Sequence, residues 1–411
     1  DFTLLLPDNS IKTKKLSSYG REAAGNRPLG FYDDVMKAVP LTRKNRHLNI
    51  WFDYLPEQKA VYMRYRNVSN NDDETTVVFT KKLFSFIDSA KAQKLIVDLR
   101  DNTGGNSFLN QPLIAGILNS HLSKQKGGIF CLVNQLTFSA AINFLQQVDN
   151  QTPAIVVGEP TADAPNFCSD IITDSLPNTK YRVALSTLQL LNSFEYDYRK
   201  SYDPDVTVAD FTWAEFNNNT DRMLNCALNY KGVNNKIAGS KNLDKALGKY
   251  QYTAIKPASI TKESDGYWLK VPGEISTQLK SYRSNVFATD NTNLQLFVRA
   301  GNIVLLNNSK PVVQLRKISE SELMPYELVE SGKMQDAITS FTRVKNENPQ
   351  MLFLIDANIS LHAYQLYFLQ HSGITAYRFL EVGKALHPES GFSNNTKDLI
   401  KQAESNTQTN F

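Results

Sequence analysis

Residues 93–110 read Gln-Lys-Leu-Ile-Val-Asp-Leu-Arg-Asp-Asn-Thr-Gly-Gly-Asn-Ser-Phe-Leu-Asn. An apolar run (Leu95, Ile96, Val97, Leu99) stops at Arg100, an Asp-Asn-Thr-Gly-Gly turn follows, and apolar residues then resume at helical spacing. The pattern is that of a buried strand delivering a glycine loop to the edge of a sheet, where α/β folds carry their sites. Adjacent glycines let backbone N–H groups approach a ligand with no Cβ in the way, so they serve as oxyanion donors or as phosphate cradles. The phosphate reading is weak, because no Gly-Lys-Ser/Thr follows and no Gly-x-Gly-x-x-Gly occurs. Taken alone, the glycine pair reads first as a purely structural turn.

The downstream sequence adds to it. Residues 127–134 (Gly-Gly-Ile-Phe-Cys-Leu-Val-Asn) form a second apolar strand, followed by Gln135-Leu136-Thr137-Phe138-Ser139-Ala140-Ala141 and a helical pattern of Ile142, Phe144, Leu145 and Val148. A third strand, Ala154-Ile155-Val156-Val157, ends in Gly158-Glu159-Pro160-Thr161. This ordered series, spanning about residues 45–230, resembles the tail-specific (C-terminal processing) and tricorn-type serine peptidases. The resemblance implies a ClpP/crotonase-like α/β peptidase core with an acylated nucleophile at Ser139. It also implies one oxyanion donor from Gly104 or Gly105 and the other from the N–H of Ala140.

A hydroxyl at a helix start faces the positive end of the helix dipole, which favours charge developing on an alkoxide or a tetrahedral oxyanion. The competing reading is that Ser139 only caps its helix. A serine nucleophile needs a base. Lysine-dyad members of the family carry it a few residues after Gly-Glu-Pro-Thr, a spacing that lands here on Ala164. The family glutamate shortly after the nucleophile is replaced by Ile142 and Asn143. The tricorn branch draws a histidine from upstream of the core strands, and His47 is the histidine in that position, with a surface turn as its plain alternative. His121 is a poorer candidate in a polar loop. Glu159 reads as a turn acid and Asp149 as a solvated helix end.

At 411 residues and 41% hydrophobic content, the chain has room for two or three domains with real cores. The net charge of +4 is small and dispersed, which argues against nucleic acid as a partner. No stretch reaches membrane-spanning length, and residues 1–20 lack a signal-peptide layout. The chain opens inside what reads as a strand pair, Phe2–Leu6 and Ile11–Thr13, so a processed start with its targeting segment already gone is the expectation. An extracytoplasmic location follows from the same reading. The three cysteines (Cys131, Cys168, Cys226) form neither a disulfide framework nor a zinc motif, and no cofactor or metal is expected.

Residues 1–230 are read as the peptidase-like domain, and Lys231–Lys241 as a linker. Residues 242–318 read as a small antiparallel sheet or barrel-like β module of short alternating runs. Residues 319–411 form a helical region with a faint repeat: Ala337 and Ala376 each lie twelve residues before Pro349 and Pro388. That spacing is similar to tetratricopeptide repeats, a protein-binding architecture. Two functions fit. One is a serine-type peptidase acting on extracytoplasmic proteins or peptides. The other is a catalytically inactive peptidase-like protein that binds peptides or small apolar ligands, as retinoid-binding members of the superfamily do.

Overall fold

A strand inside a parallel sheet loses both faces to helices, so its sequence is a nearly unbroken apolar run. Lys94–Asp98, Ile129–Val133 and Ile155–Gly158 are such runs, and they lie side by side in the computed structural model of the protein. The structure describes residues 2–5, 8–14, 41–230 and 241–408, apart from positions 194, 196, 198, 213, 216, 217, 284, 285, 290–293, 300, 301, 308, 309 and 371. The chain divides into two compact units, residues 1–47 with 211–221 and residues 48–210 with 222–411.

The first unit carries the strand pair read at the start of the chain. Phe2–Leu5 (β1) and Ile11–Lys14 (β2) form an antiparallel hairpin with Leu5 opposite Ile11. Its turn is held by Asp8, whose carboxylate accepts from the Ser10 N–H and hydroxyl. A single 3-10 turn, Leu41–Arg43, precedes the exposed His47.

The second unit opens with Ile50–Leu55 (β3) and Ala60–Tyr65 (β4), an antiparallel pair. Lys94–Asp98 (β5), Ile129–Val133 (β6) and Ile155–Gly158 (β7) then add in parallel. Phe167–Ser175 (β8) and Arg182–Leu190 (β9) form a separate two-stranded ribbon, and Val206–Thr207 (β10) returns beside β7. The main sheet therefore runs β10-β7-β6-β5-β4-β3. Three helices supply its cover: Thr76–Ser89 (α1), Asn110–Asn119 (α2) and Ala140–Gln151 (α3). They bury Phe79, Leu83 and Ile87, then Leu113, Ile114 and Ile117, then Phe144, Leu145 and Val148 against Leu95, Val97, Cys131 and Val133. Each of the larger side chains contributes about 1.5–3 kcal/mol by leaving water. Arg222–Leu228 (α4) packs on β6 and β7, where Lys94 donates to the carbonyls of Ala227 and Leu228. The linker reading of 231–241 falls almost entirely outside the described residues.

After the short helix Lys241–Asp244 (α5), the antiparallel module expected of 242–318 closes on itself. Its strands are Gly248–Gln251 (β11), Pro257–Glu263 (β12), Gly266–Val271 (β13), Ile275–Arg283 (β14), Val286–Ala288 (β15), Leu294–Arg299 (β16), Asn302–Asn307 (β17) and Lys310–Lys317 (β18). The ring is completed by β11 pairing with β18, Tyr250 opposite Lys317. Period-2 alternation sends Ala258 and Ile260, Leu269 and Val271, Leu294 and Leu296, and Ile303 and Leu305 inward.

The tail comprises Pro325–Glu330 (α6), Met334–Glu347 (α7), Asp356–Gln370 (α8), Gly373–Leu386 (α9) and Phe392–Gln408 (α10). The echoed positions Ala337 and Ala376 are both fully buried, and Phe341 and Leu380 pack in the same core. The tail is seated on the α/β core as well as on the barrel. Phe108 meets Tyr364 edge-to-face at 4.9 Å, and Asn358 bonds the Gln189 carbonyl and the Leu191 N–H. Among the described residues, no helix is long and apolar enough to cross a membrane.

Candidate active site

The site grows from the end of β5. Asp98 closes that strand with its carboxylate buried, where Arg100 binds it through Nε at 2.9 Å and Nη2 at 2.6 Å. Arg64 Nη1 at 3.1 Å and the Tyr62 hydroxyl at 2.6 Å complete the cluster. Burial alone would raise this carboxyl, but Arg100 and Arg64 outweigh burial and hold it well below the usual carboxylate range. The strand end is thereby pinned as the chain turns into Asp101-Asn102-Thr103-Gly104-Gly105.

Asn102 organises the loop. It donates to the Tyr65 carbonyl at 2.8 Å, accepts from the Gly104 N–H at 2.9 Å, and its own carbonyl accepts from the Phe138 N–H at 2.9 Å. Val68 fixes the far side, with its N–H on the Gly104 carbonyl and its carbonyl receiving the Asn106 N–H, both at 2.9 Å. The two glycines have separate roles. Gly104 has φ +100°, and a Cβ there would lie 2.6 Å from Ser139 Cβ, 2.9 Å from the Ala140 nitrogen and 3.0 Å from Ser139 Oγ. Gly105 has φ +142°, and its Cβ would strike the Val68 carbonyl at 2.3 Å. The Gly104 N–H is committed to Asn102. Among the described residues, the N–H groups of Gly105 and Ala140 have no protein acceptor.

Ser139 approaches from β6. Asn134 and Thr137 lock the turn, since the Thr137 hydroxyl donates to the Leu99 carbonyl at 3.0 Å and receives the Asn134 N–H at 3.1 Å. Ser139 itself has φ 54° and ψ −124°, a conformation that a side-chain-bearing residue rarely adopts. It sits at the N-cap of α3, yet its side chain makes no capping hydrogen bond. The capping explanation for this serine therefore fails. A serine at this strained φ/ψ, between a strand and a helix and making no capping bond, shares the backbone placement of the serine in a nucleophile elbow. The Asp163 carboxylate accepts the Ala164 N–H at 3.0 Å and lies near the Ser139 N–H, and its Oδ2 is buried without a hydrogen-bond partner among the described residues. Burial lifts the Asp163 carboxyl above its ordinary value, against the opposing N–H groups of Ala164 and Ser139. Sequence reasoning passed over Asp163, because nothing in a turn aspartate signals contact with a backbone so far upstream.

The structure thus brings Ser139, Ala140, Gly104 and Gly105 together. His47 lies in the first compact unit, exposed in a turn. His121 is held at 2.9 Å by the Ala92 carbonyl, which precedes β5, so it lies by the N-terminal end of that strand, opposite the end that carries the glycine loop. One turn into α3, Asn143 heads a buried amide network. It accepts from Asn110 at 2.9 Å and Gln147 at 3.0 Å and donates to Asn192 at 2.7 Å. Asp149, read as a solvated helix end, is instead buried and accepts from the Tyr202 hydroxyl. Glu159 takes the Asp210 N–H at 3.3 Å. Among the described residues, no cluster of histidine, cysteine and carboxylate side chains could hold a metal ion.

No protein-family model and no curated protein matches this chain. Solved structures that resemble it include a candidate peptidase from Parabacteroides merdae, 19% identical over 51% of this chain and 73% of that one, with a TM-score of 0.34. Mature CPAF is 12% identical over 56% of this chain and 67% of its own, with a TM-score of 0.36. The photosystem II D1 C-terminal processing protease is 14% identical over 39% and 48%, with a TM-score of 0.26.

Proposed function

We propose that this chain is a serine-type peptidase of the tail-specific and tricorn kind, with Ser139 as the nucleophile. The observation that carries this reading is the strained Ser139 backbone with Gly104 pressed against it, an arrangement that helix capping does not account for. In the proposed reaction, Ser139 Oγ attacks the scissile carbonyl of an extracytoplasmic protein or peptide. The resulting oxyanion is received by the Gly105 and Ala140 N–H groups at the positive end of α3. Expulsion of the amine leaves an acyl-enzyme that water hydrolyses. His47 is the base we assign, from its place ahead of the core strands. If it acts as a unit with Ser139, His47→Ala lowers turnover as severely as Ser139→Ala does; an active His47→Ala variant removes it from the mechanism.

A second reading is favoured by Ala164 and by the amides around Asn143, which stand where the family has a lysine and a glutamate. On that reading the scaffold binds peptides or small apolar ligands without cleaving them, and the tetratricopeptide-like tail serves packing or a protein partner. Incubation with an unfolded protein substrate separates the two. The peptidase reading expects cleavage by the wild type and none by Ser139→Ala, whereas binding without cleavage by both proteins supports the second reading.

A further inference from the structure

The loop that follows β7 is tied to the chain on both sides of Ser139. The Ala162 N–H donates to the Thr137 carbonyl at 3.1 Å, two residues before the serine. Beyond the serine, Asn192 donates to the Pro165 carbonyl at 3.3 Å and accepts from Asn143, one turn into α3, at 2.7 Å. Asp163 lies between these ties, which set its carboxylate beside the Ser139 N–H at the start of α3. The carboxylate's one hydrogen bond among the described residues comes from the adjoining Ala164 N–H, and its Oδ2 is buried with none. No cation offsets the charge. Asp163 forms no ion pair among the described residues, and no charged side chain is among the groups that shift its carboxyl. An aspartate is ordinarily welcome at the positive end of a helix. This end, however, carries the Ala140 N–H, one of the two proposed oxyanion donors. A carboxylate and an oxyanion there draw on the same positive end and repel each other, the more strongly because the site is partly buried.

We propose that Asp163 is an electrostatic brake on Ser139: its carboxylate weakens the oxyanion hole of Gly105 and Ala140, and removing that charge speeds attack by the serine. This role presupposes Ser139 as the nucleophile. It gives Asp163 neither the proton of the serine hydroxyl nor a contact with substrate, so it is independent of the base.

The rate at which a fluorophosphonate labels Ser139 tests it. Ser139 Oγ displaces fluoride from phosphorus, its proton passes to the base, and negative charge grows on the phosphoryl oxygen in the oxyanion hole. The full chain, Asp163→Asn and Asp163→Ala are compared at about pH 8, above the titration of a carboxyl raised by burial. Asp163→Asn keeps an acceptor for the Ala164 N–H and removes only the charge. Neither change touches the backbone ties at Ala162 and Pro165, so both variants stay folded. Both should label Ser139 about tenfold or more faster than the wild type. Labelling of Ser139 by Asp163→Asn at the wild-type rate or below would overturn the brake and leave the nucleophile in place. Acceleration by Asp163→Ala alone would do the same, since it reports relieved crowding rather than lost charge. No labelling of any of the three proteins would remove the nucleophile and the brake together.

Discussion

A serine held at φ 54° and ψ −124° stores strain, and what that strain accomplishes is measurable. Replacing Ser139 by glycine gives the backbone a residue at ease with positive φ, so stability should rise by about 1 kcal/mol while any turnover disappears. Ser139→Ala keeps the strain and forfeits no cap, so denaturation should show almost no change. A loss near 1 kcal/mol would restore the capping role instead. Gly104 belongs to the same contact. Gly104→Ala drives a methyl to 2.6 Å from Ser139 Cβ at a backbone angle that disfavours side chains, and turnover should fall roughly a hundredfold or more. A Gly104→Ala enzyme as active as wild type would show that the loop is no part of the site. Gly105→Val is a poorer probe, because its collision with the Val68 carbonyl disturbs the loop before it reports on any oxyanion.

At the level of elements, legibility in the sequence followed burial. β5, β6 and β7 were readable as apolar runs because both of their faces are covered, and the helix after Ser139 was readable from its periodicity. The ribbon β8–β9 was not. Ile171, Ile172 and Leu185 are 65%, 59% and 59% exposed, so its alternation marks no buried face. Ser139 and Gly104 were legible as candidates, but the division of labour between Gly104 and Gly105 was not, since it depends on where Val68 and Asn102 direct the loop. Asp149 was misread because its partner Tyr202 arrives from the connection between β9 and β10, far along the chain. The segment after β9 carries a pH dependence of its own. Glu195 is pushed from 4.5 to about 7 by burial first and then by Glu274, with Lys256 opposing. The folded protein therefore keeps a proton that the unfolded chain releases near 4.5. This contribution to stability is complete below that value and is lost as pH rises through about 7. Glu195→Gln retains the acceptor for Leu352 and removes the charge, so chemical denaturation should show a smaller fall in stability from about pH 5 to about pH 8 than the wild type. An unchanged pH profile would show that Glu195 is ordinary.

On the scale of the whole molecule, the second unit builds its α/β sheet, barrel and helical tail into adjoining surfaces. Asn358 links the tail to the sheet region, and Lys249 links the barrel to α6. Neither link was foreseeable from local pattern, because periodicity reports which face is buried but not what buries it. A barrel-like module was one reading of the short alternating runs, but which strands close it was not legible: β11 and β18 are far apart in sequence, and their register is set only when the ring forms. The proposed chemistry rests on one hydroxyl. Treating the intact protein with a fluorophosphonate and weighing it by mass spectrometry measures that hydroxyl directly, without requiring a known substrate. A single adduct on Ser139, absent from Ser139→Ala and from heat-denatured protein, is the expected result; no adduct on the folded wild type, or equal labelling of Ser139→Ala, would contradict the assignment of Ser139 as a nucleophile.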